Sequence, residues 1–195
     1  MDYNPLLLGL DQIDQTINQS LSFYGNMGLS PEQIKTTKET LLQSAELVRI
    51  AFPAMIVIAS VFDTLINYWV AGKILNRFGY KLAPFIPFYK WRASKSFFWS
   101  YLVGLLILLI NTNYKLPFLE RIGVNIQLLF SVIFLFTGLA VVSFILRHYK
   151  VKPIISWVVY IIIFIQPIFS FAVTWVGILD VWLDFRKILF PDGNN

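Results

Sequence analysis

The chain contains no cysteine. That absence excludes disulfide staples, thiolate nucleophiles and cysteine metal sites together. Histidine is nearly missing as well. His148 is the single one, so no multi-histidine metal cluster can form, and no Ser-His-Asp set is readable around it. Charge is scarce: Asp, Glu, Lys and Arg make up 14% of the residues, against roughly 25% in an average soluble domain. A chain with so little charge cannot clothe itself in a solvated surface. The opening residues, "MDYNPLLLGLDQIDQ", have neither the basic start nor the long apolar stretch of a signal peptide. No P-loop, nucleophile elbow, zincin helix or glycine-rich nucleotide turn is present. Nothing therefore points to an enzyme, a cofactor or a bound metal.

What the chain has in quantity is apolar sequence, 57% of its residues, with a mean hydropathy of +0.66. Crossing a bilayer takes roughly 20 predominantly apolar residues. Four segments meet or approach that length, at about 50–72, 94–110, 122–146 and 154–179. The expected fold class is all-α: an integral membrane helical bundle of four transmembrane helices over residues 50–195, preceded by amphipathic extramembrane helices over 1–49. In residues 6–21, Leu6, Leu10, Ile13, Ile17 and Leu21 recur at helical spacing, with Asp11, Asp14, Gln15, Asn18 and Gln19 on the other face. A second helix opens at "SPEQ", where Ser30 suits the N-cap, Pro31 the first turn, and Gln33 a capping box. It runs on through Ile34, Leu41, Ala45 and Val48 into the first membrane helix, which Pro53 bends.

The connections carry the orientation signal. Lys73, Arg77, Lys81, Lys90, Arg92 and Lys95 lie between the first two membrane helices with no acid among them. Arg147, Lys150 and Lys152 lie between the last two, again without an acid. Basic connections stay in the cytoplasm, so 1–49, with six acids against three bases, is expected outside. Alternation then sends the C-terminus outside, unless Pro167 splits the fourth segment into a re-entrant pair and returns it. A 49-residue acidic tail crosses more easily with further membrane helices ahead of it, so the chain is expected to be part of a longer protein. The net charge of +5 is accounted for by these loops, and no groove-reading motif points to nucleic acid.

Within the spans, Asp63 is the charge that stands out. An unpaired carboxylate at mid-bilayer costs roughly 2.5–3.5 kcal/mol on insertion scales. Ser60, Thr64 and Asn67 extend it into a polar stripe, which reads either as a ligand site or as a hydrogen-bonded helix seam. Gln166-Pro167 interrupts the fourth segment and frees the Ile163 carbonyl one turn back, either for a ligand or simply as a kink. The loop "KILNRFGYKLAPFIPFYKWRASK" mixes aromatic and basic residues. Lys81, Lys90, Trp91 and Arg92 are expected to face anionic lipid headgroups or a cytoplasmic partner. The closing "GILDVWLDFRK" places Asp180 and Asp184 four residues apart, with Arg186 and Lys187 beside them. That is either an interfacial helix-end lock or a cation or proton site.

Taken together, "GLSPEQI", "FPAMIVIASVFDTLINYWVAGKILNRFG", "LAPFIPFYKWRASKSFFWSYLVGLLILL" and "GILDVWLDFRK" resemble the C-terminal half of the YybS-like family of bacterial predicted membrane proteins, a domain of unknown function. The most specific matches are Asn67-Tyr68, Arg77 with Gly79, Pro84 and Pro87 with Trp91, and Asp180, Asp184, Phe185 and Arg186. Asp63 is outside the pattern. The resemblance implies a multi-pass protein of the bacterial plasma membrane. It also implies a distant kinship with the substrate-binding components of energy-coupling-factor transporters. On that implication Asp63, Asn67 and Gln166 would line a small-molecule site. The alternative is a membrane scaffold that docks a cytoplasmic partner or anionic lipid through the basic loop 73–95.

Overall fold

The computed structural model describes residues 16, 17, 19, 20, 30–80 and 86–189. Among these, the regular elements are all helical: α1 Pro31–Arg77, α2 Lys95–Tyr114, α3 Pro117–His148, α4 Pro153–Ile165, α5 Pro167–Leu183 and α6 Phe185–Leu189, with a single 3-10 turn at Phe88–Lys90. Two compact units divide between Pro53 and Ala54. In the first, residues 16, 17, 19 and 20 are helical. The rest of the amphipathic helix expected over 6–21 lies outside the described residues, as do Lys81 and Pro84. The capping box at the start of α1 forms as its sequence requires. The Gln33 amide N–H donates to Ser30 Oγ at 3.3 Å, and the Ser30 N–H donates to Gln33 Oε1 at 2.9 Å.

The second unit begins with the membrane portion of α1. Pro53 interrupts the helix ladder there, and the next amide finds its acceptor on a neighbour: Ala54 N–H donates to Asn125 Oδ1 of α3 at 2.7 Å. A proline inside a membrane helix is tolerated when a neighbouring helix satisfies the disturbed backbone in this way. At its other end α1 stops on Gly79, whose φ of 84° closes a Schellman turn in which Tyr80 N–H donates to the Leu75 carbonyl at 3.0 Å.

α2 and α3 form a hairpin closed by Lys115 in the left-handed region and by Pro117 opening α3. Gly104 and Gly123 let the two helices touch, since a Cβ on either would come within 2.7 Å of the facing Ile126 or Leu108 side chain. The crossing of α3 with α5 is closer still. A Cβ on Gly138 would sit 1.9 Å from the Val173 carbonyl oxygen, and one on Gly177 would sit 1.9 Å from that of Phe134. Backbone meets backbone, and around this point Phe134, Leu139, Val141, Val173 and Ile178 are buried.

Direction follows from these pairings. Ala54 meets Asn125 and Phe62 meets Phe136, so α1 and α3 run the same way. The glycine contacts make α2 and α5 antiparallel to α3. α1, α2 and α3 are each long and apolar enough to cross a membrane, and α4 with α5 is a fourth candidate bent by 103°. The bend falls at Gln166, where Pro167 cannot continue the ladder. The carbonyl freed at Ile163 accepts the Ser170 hydroxyl from the next helix. The fourth apolar segment is thus a jointed pair whose break is satisfied internally. Large apolar side chains such as Ile154, Trp157, Ile165 and Ile168 point outward, as they must where the solvent is lipid.

Candidate functional site

The site is built around the irregular stretch 86–94. Pro87 opens the short 3-10 turn, and Phe88 then packs on the Leu139, Ile163 and Val173 core. The Trp91 indole N–H donates to the Ile86 carbonyl at 3.0 Å. The Arg147 guanidinium stacks 4.6 Å over the Tyr89 ring, so the stretch starts level with the end of α3. Ile86 and Lys90 to Ala93 share a cavity with Ile133 and Thr137 of α3. The 86–94 stretch thus runs alongside α3 rather than standing clear of it.

A clasp holds the stretch in place. α5 ends at Asp184, which adopts a left-handed conformation (φ 44°) and turns the chain into α6. Both carboxylate oxygens of Asp184 accept from Arg92, at 2.9 and 2.8 Å, and Lys187 stands 3.5 Å away. Asp180 Oδ1 accepts the Phe185 N–H at 3.0 Å and so braces the same turn. Arg186, only 6% exposed, donates to the Trp91 carbonyl at 2.6 Å and lies 3.6 Å from Asp180. Lys95 stacks 5.1 Å over Trp182, whose ring meets Phe98 edge-on at 5.5 Å. Burial pushes the Asp184 carboxyl upward, but the Arg92 hydrogen bonds and the charges of Arg92 and Lys187 outweigh it. The group therefore titrates below the ordinary carboxylate range.

Beside the clasp lies an apolar groove of about 630 Å³. α1 supplies Val57, Val61 and Phe62, α3 supplies Leu129, Ile133 and Phe136, and the 86–94 stretch supplies Lys90, Trp91 and Arg92. Val57 and Val61 are about half exposed, so the α1 wall also opens outward.

The residues singled out in sequence separate into three places. Asp180, Asp184, Arg186, Trp91 and Arg92 come together in the clasp, and Lys90 joins the last two on the groove wall. Asp63 and Asn67 pair with each other, the Asn67 amide donating to Asp63 Oδ2 at 3.0 Å, on an exposed face of α1 that is not part of the groove lining. Gln166 sits exposed at the α4–α5 joint and shares no described contact with them. Sequence reasoning missed Asn125 and Ser170 as partners of broken backbone. The signal was available, since each is a polar residue in an otherwise apolar helix and each serves a turn opened by a proline.

Comparison with known proteins agrees with the architecture. Residues 1–181 match a family described as "Predicted membrane protein (DUF2232)". The chain is 26% identical over 179 residues to "Uncharacterized protein YybS" of Bacillus subtilis (strain 168), an alignment covering 91% of this chain and 55% of the relative. The chain thus spans about half the length of the curated relative it matches. No solved structure matches it.

Proposed function

The chain belongs to the DUF2232 family of predicted membrane proteins, and on that premise we propose that it is a membrane-embedded binding protein for a small, largely apolar molecule. The groove between α1, α3 and the 86–94 stretch is its site. One observation carries this reading: a cavity of about 630 Å³ with an almost wholly apolar lining and two cationic side chains on one wall. Binding sites for small molecules run from about 300 to 1,000 Å³ and combine an apolar body with a few placed polar groups.

The test is native mass spectrometry of the protein released from membranes, looking for a retained small molecule. Val61→Trp and Ile133→Trp fill the groove and are expected to abolish retention. Asp63→Ala and Asn67→Ala, off the lining, are expected to preserve it. Retention that survives both tryptophans, or is lost with Asp63→Ala, overturns the assignment. The competing reading, docking of a partner or anionic lipid through loop 73–95, draws on its six bases without an acid. The Arg92–Asp184 pair already commits one of those bases within the chain.

A further inference from the structure

Resting on that reading, we infer that the occupant of the groove is an amphipathic anion: an acyl-like apolar body carrying one carboxylate or phosphate, which Lys90 and Arg92 hold. Three observations converge on this. The lining is apolar on its α1 and α3 walls, so the body of the ligand must be apolar there. The remaining wall carries Lys90 and Arg92 with no acid in the lining. Arg92 commits two N–H groups to Asp184, and a guanidinium has five, so it keeps donors for a second anion. Lys90 makes no hydrogen bond or ion pair to a described residue, its ammonium standing 5.8 Å from the Tyr89 ring.

The surroundings carry the same sign. Among the described residues, Lys90 and Arg92 on the groove wall and Lys95, Arg186 and Lys187 around the clasp are set against Asp180 and Asp184. An anion entering here meets the field of a net excess of three cations among the described residues, in a site walled by apolar side chains where such charge is weakly screened. A neutral amphiphile fits the same walls but leaves that field unanswered.

The experiment uses the full chain in nanodiscs, with Trp91 on the groove wall as the reporter and the other five tryptophans replaced by phenylalanine. The probes are 9,10-dibromostearate and its methyl ester, which share one apolar body and differ in charge; bromine quenches indole fluorescence on contact. Dibromostearate is expected to quench saturably and the ester to bind about tenfold or more weakly, the loss of a hydrogen bond to a charged group. Lys90→Gln is expected to weaken dibromostearate about tenfold and leave the ester unchanged. Dodecyl phosphate should compete if the site takes a phosphate equally well, and displacement measured by native mass spectrometry on the unmodified chain keeps the result independent of how the tryptophan variant folds. Equal binding of acid and ester overturns the anion while leaving the groove in place. Failure of every probe, or quenching that Ile133→Phe, which fills the groove without adding an indole, does not reduce, overturns the groove itself.

Discussion

Gly138→Ala is the sharpest single test of how α3 and α5 meet. The added Cβ would lie 1.9 Å from the Val173 carbonyl oxygen, where carbon-to-oxygen contacts ordinarily begin at about 3.3 Å. That oxygen is backbone and cannot rotate aside, so the helices must separate by roughly the difference, more than 1 Å. A gap of 0.5–1 Å already forfeits about a quarter to a half of the dispersion well for each facing atom pair. The loss falls on Phe134, Leu139, Val173 and Ile178, which are buried at this crossing. Overpacked cores lose about 1–3 kcal/mol, and a clash against main chain belongs at the upper end, near 3 kcal/mol. Gly177→Ala makes the reciprocal clash with the Phe134 oxygen. Once the first alanine has parted the helices, the second meets a wider gap, so the double variant should fall short of the sum by about 1 kcal/mol or more. Gly79→Ala is the control: nothing lies within 4 Å of its Cβ position, and only its positive φ is strained, at about 1 kcal/mol. Unfolding in mixed micelles with rising SDS, followed by tryptophan fluorescence, reads all four. A Gly138→Ala protein within 0.5 kcal/mol of wild type, or strict additivity with Gly177→Ala, would refute the close crossing.

Other expectations concern single contacts. Arg92→Ala and Asp184→Ala should couple in a double-mutant cycle by about 1 kcal/mol, the pair being bidentate but half exposed on the arginine side; strict additivity would leave the clasp without weight. Because the folded Asp184 carboxyl titrates below its unfolded value, its contribution is present above about pH 4 and disappears as pH falls through the folded value. Unfolding midpoints from pH 7 to pH 3 should show an acid limb that Asp184→Asn flattens, and an unchanged limb counts against the pair. Asn125→Leu leaves the Ala54 N–H without its acceptor and should cost about 1–3 kcal/mol. Pairing it with Pro53→Ala should shrink that loss by restoring a regular helix turn, so equal losses in both backgrounds argue against the bridge. Asp63→Leu should lower the insertion cost of the α1 span by roughly 2.5–3.5 kcal/mol in a glycosylation-based insertion assay. No change there would mean that the carboxylate is already shielded from lipid.

The long apolar helices were legible because a membrane span must satisfy its own backbone, which forces an uninterrupted apolar run of known length. The Ser30–Gln33 box and the break at Pro167 were legible for a similar reason, being local rules written into four residues or fewer. What spacing could not show is helical phase. Asp63 and Asn67 read correctly as a pair one turn apart, but the face they share is set by how α1 rolls against α3, and Phe62 meeting Phe136 turns them off the groove. For Asp180 and Asp184 the spacing was instructive in another way: they do stand at a helix end, but not on one face. Four residues apart, they stack only if the helix continues, and α5 ends at Leu183. Asp184 then swings into a left-handed turn and reaches a residue 92 positions earlier in the chain. The Asp184–Lys187 contact at three residues' spacing did survive, at 3.5 Å.

That turn changes what "GILDVWLDFRK" contributes. A helix-end lock at an interface would leave the basic loop free for headgroups or partners, and the two motifs would work apart. Here Arg92 is at once the partner of Asp184 and part of the groove wall, and the carbonyl of its neighbour Trp91, another lining residue, is held by the buried Arg186. Any ligand that draws on Arg92 therefore acts on the α5–α6 turn, and any movement of that turn changes the shape of the groove. Linkage makes the effect reciprocal. Substitutions at Asp184 should shift groove affinity even though its carboxylate is not in the lining, whereas substitutions at Asp63, on an exposed face of the span, should not. If Asp184→Asn leaves dibromostearate affinity where it was while removing the acid limb of stability, the clasp is purely structural and the two motifs are independent after all.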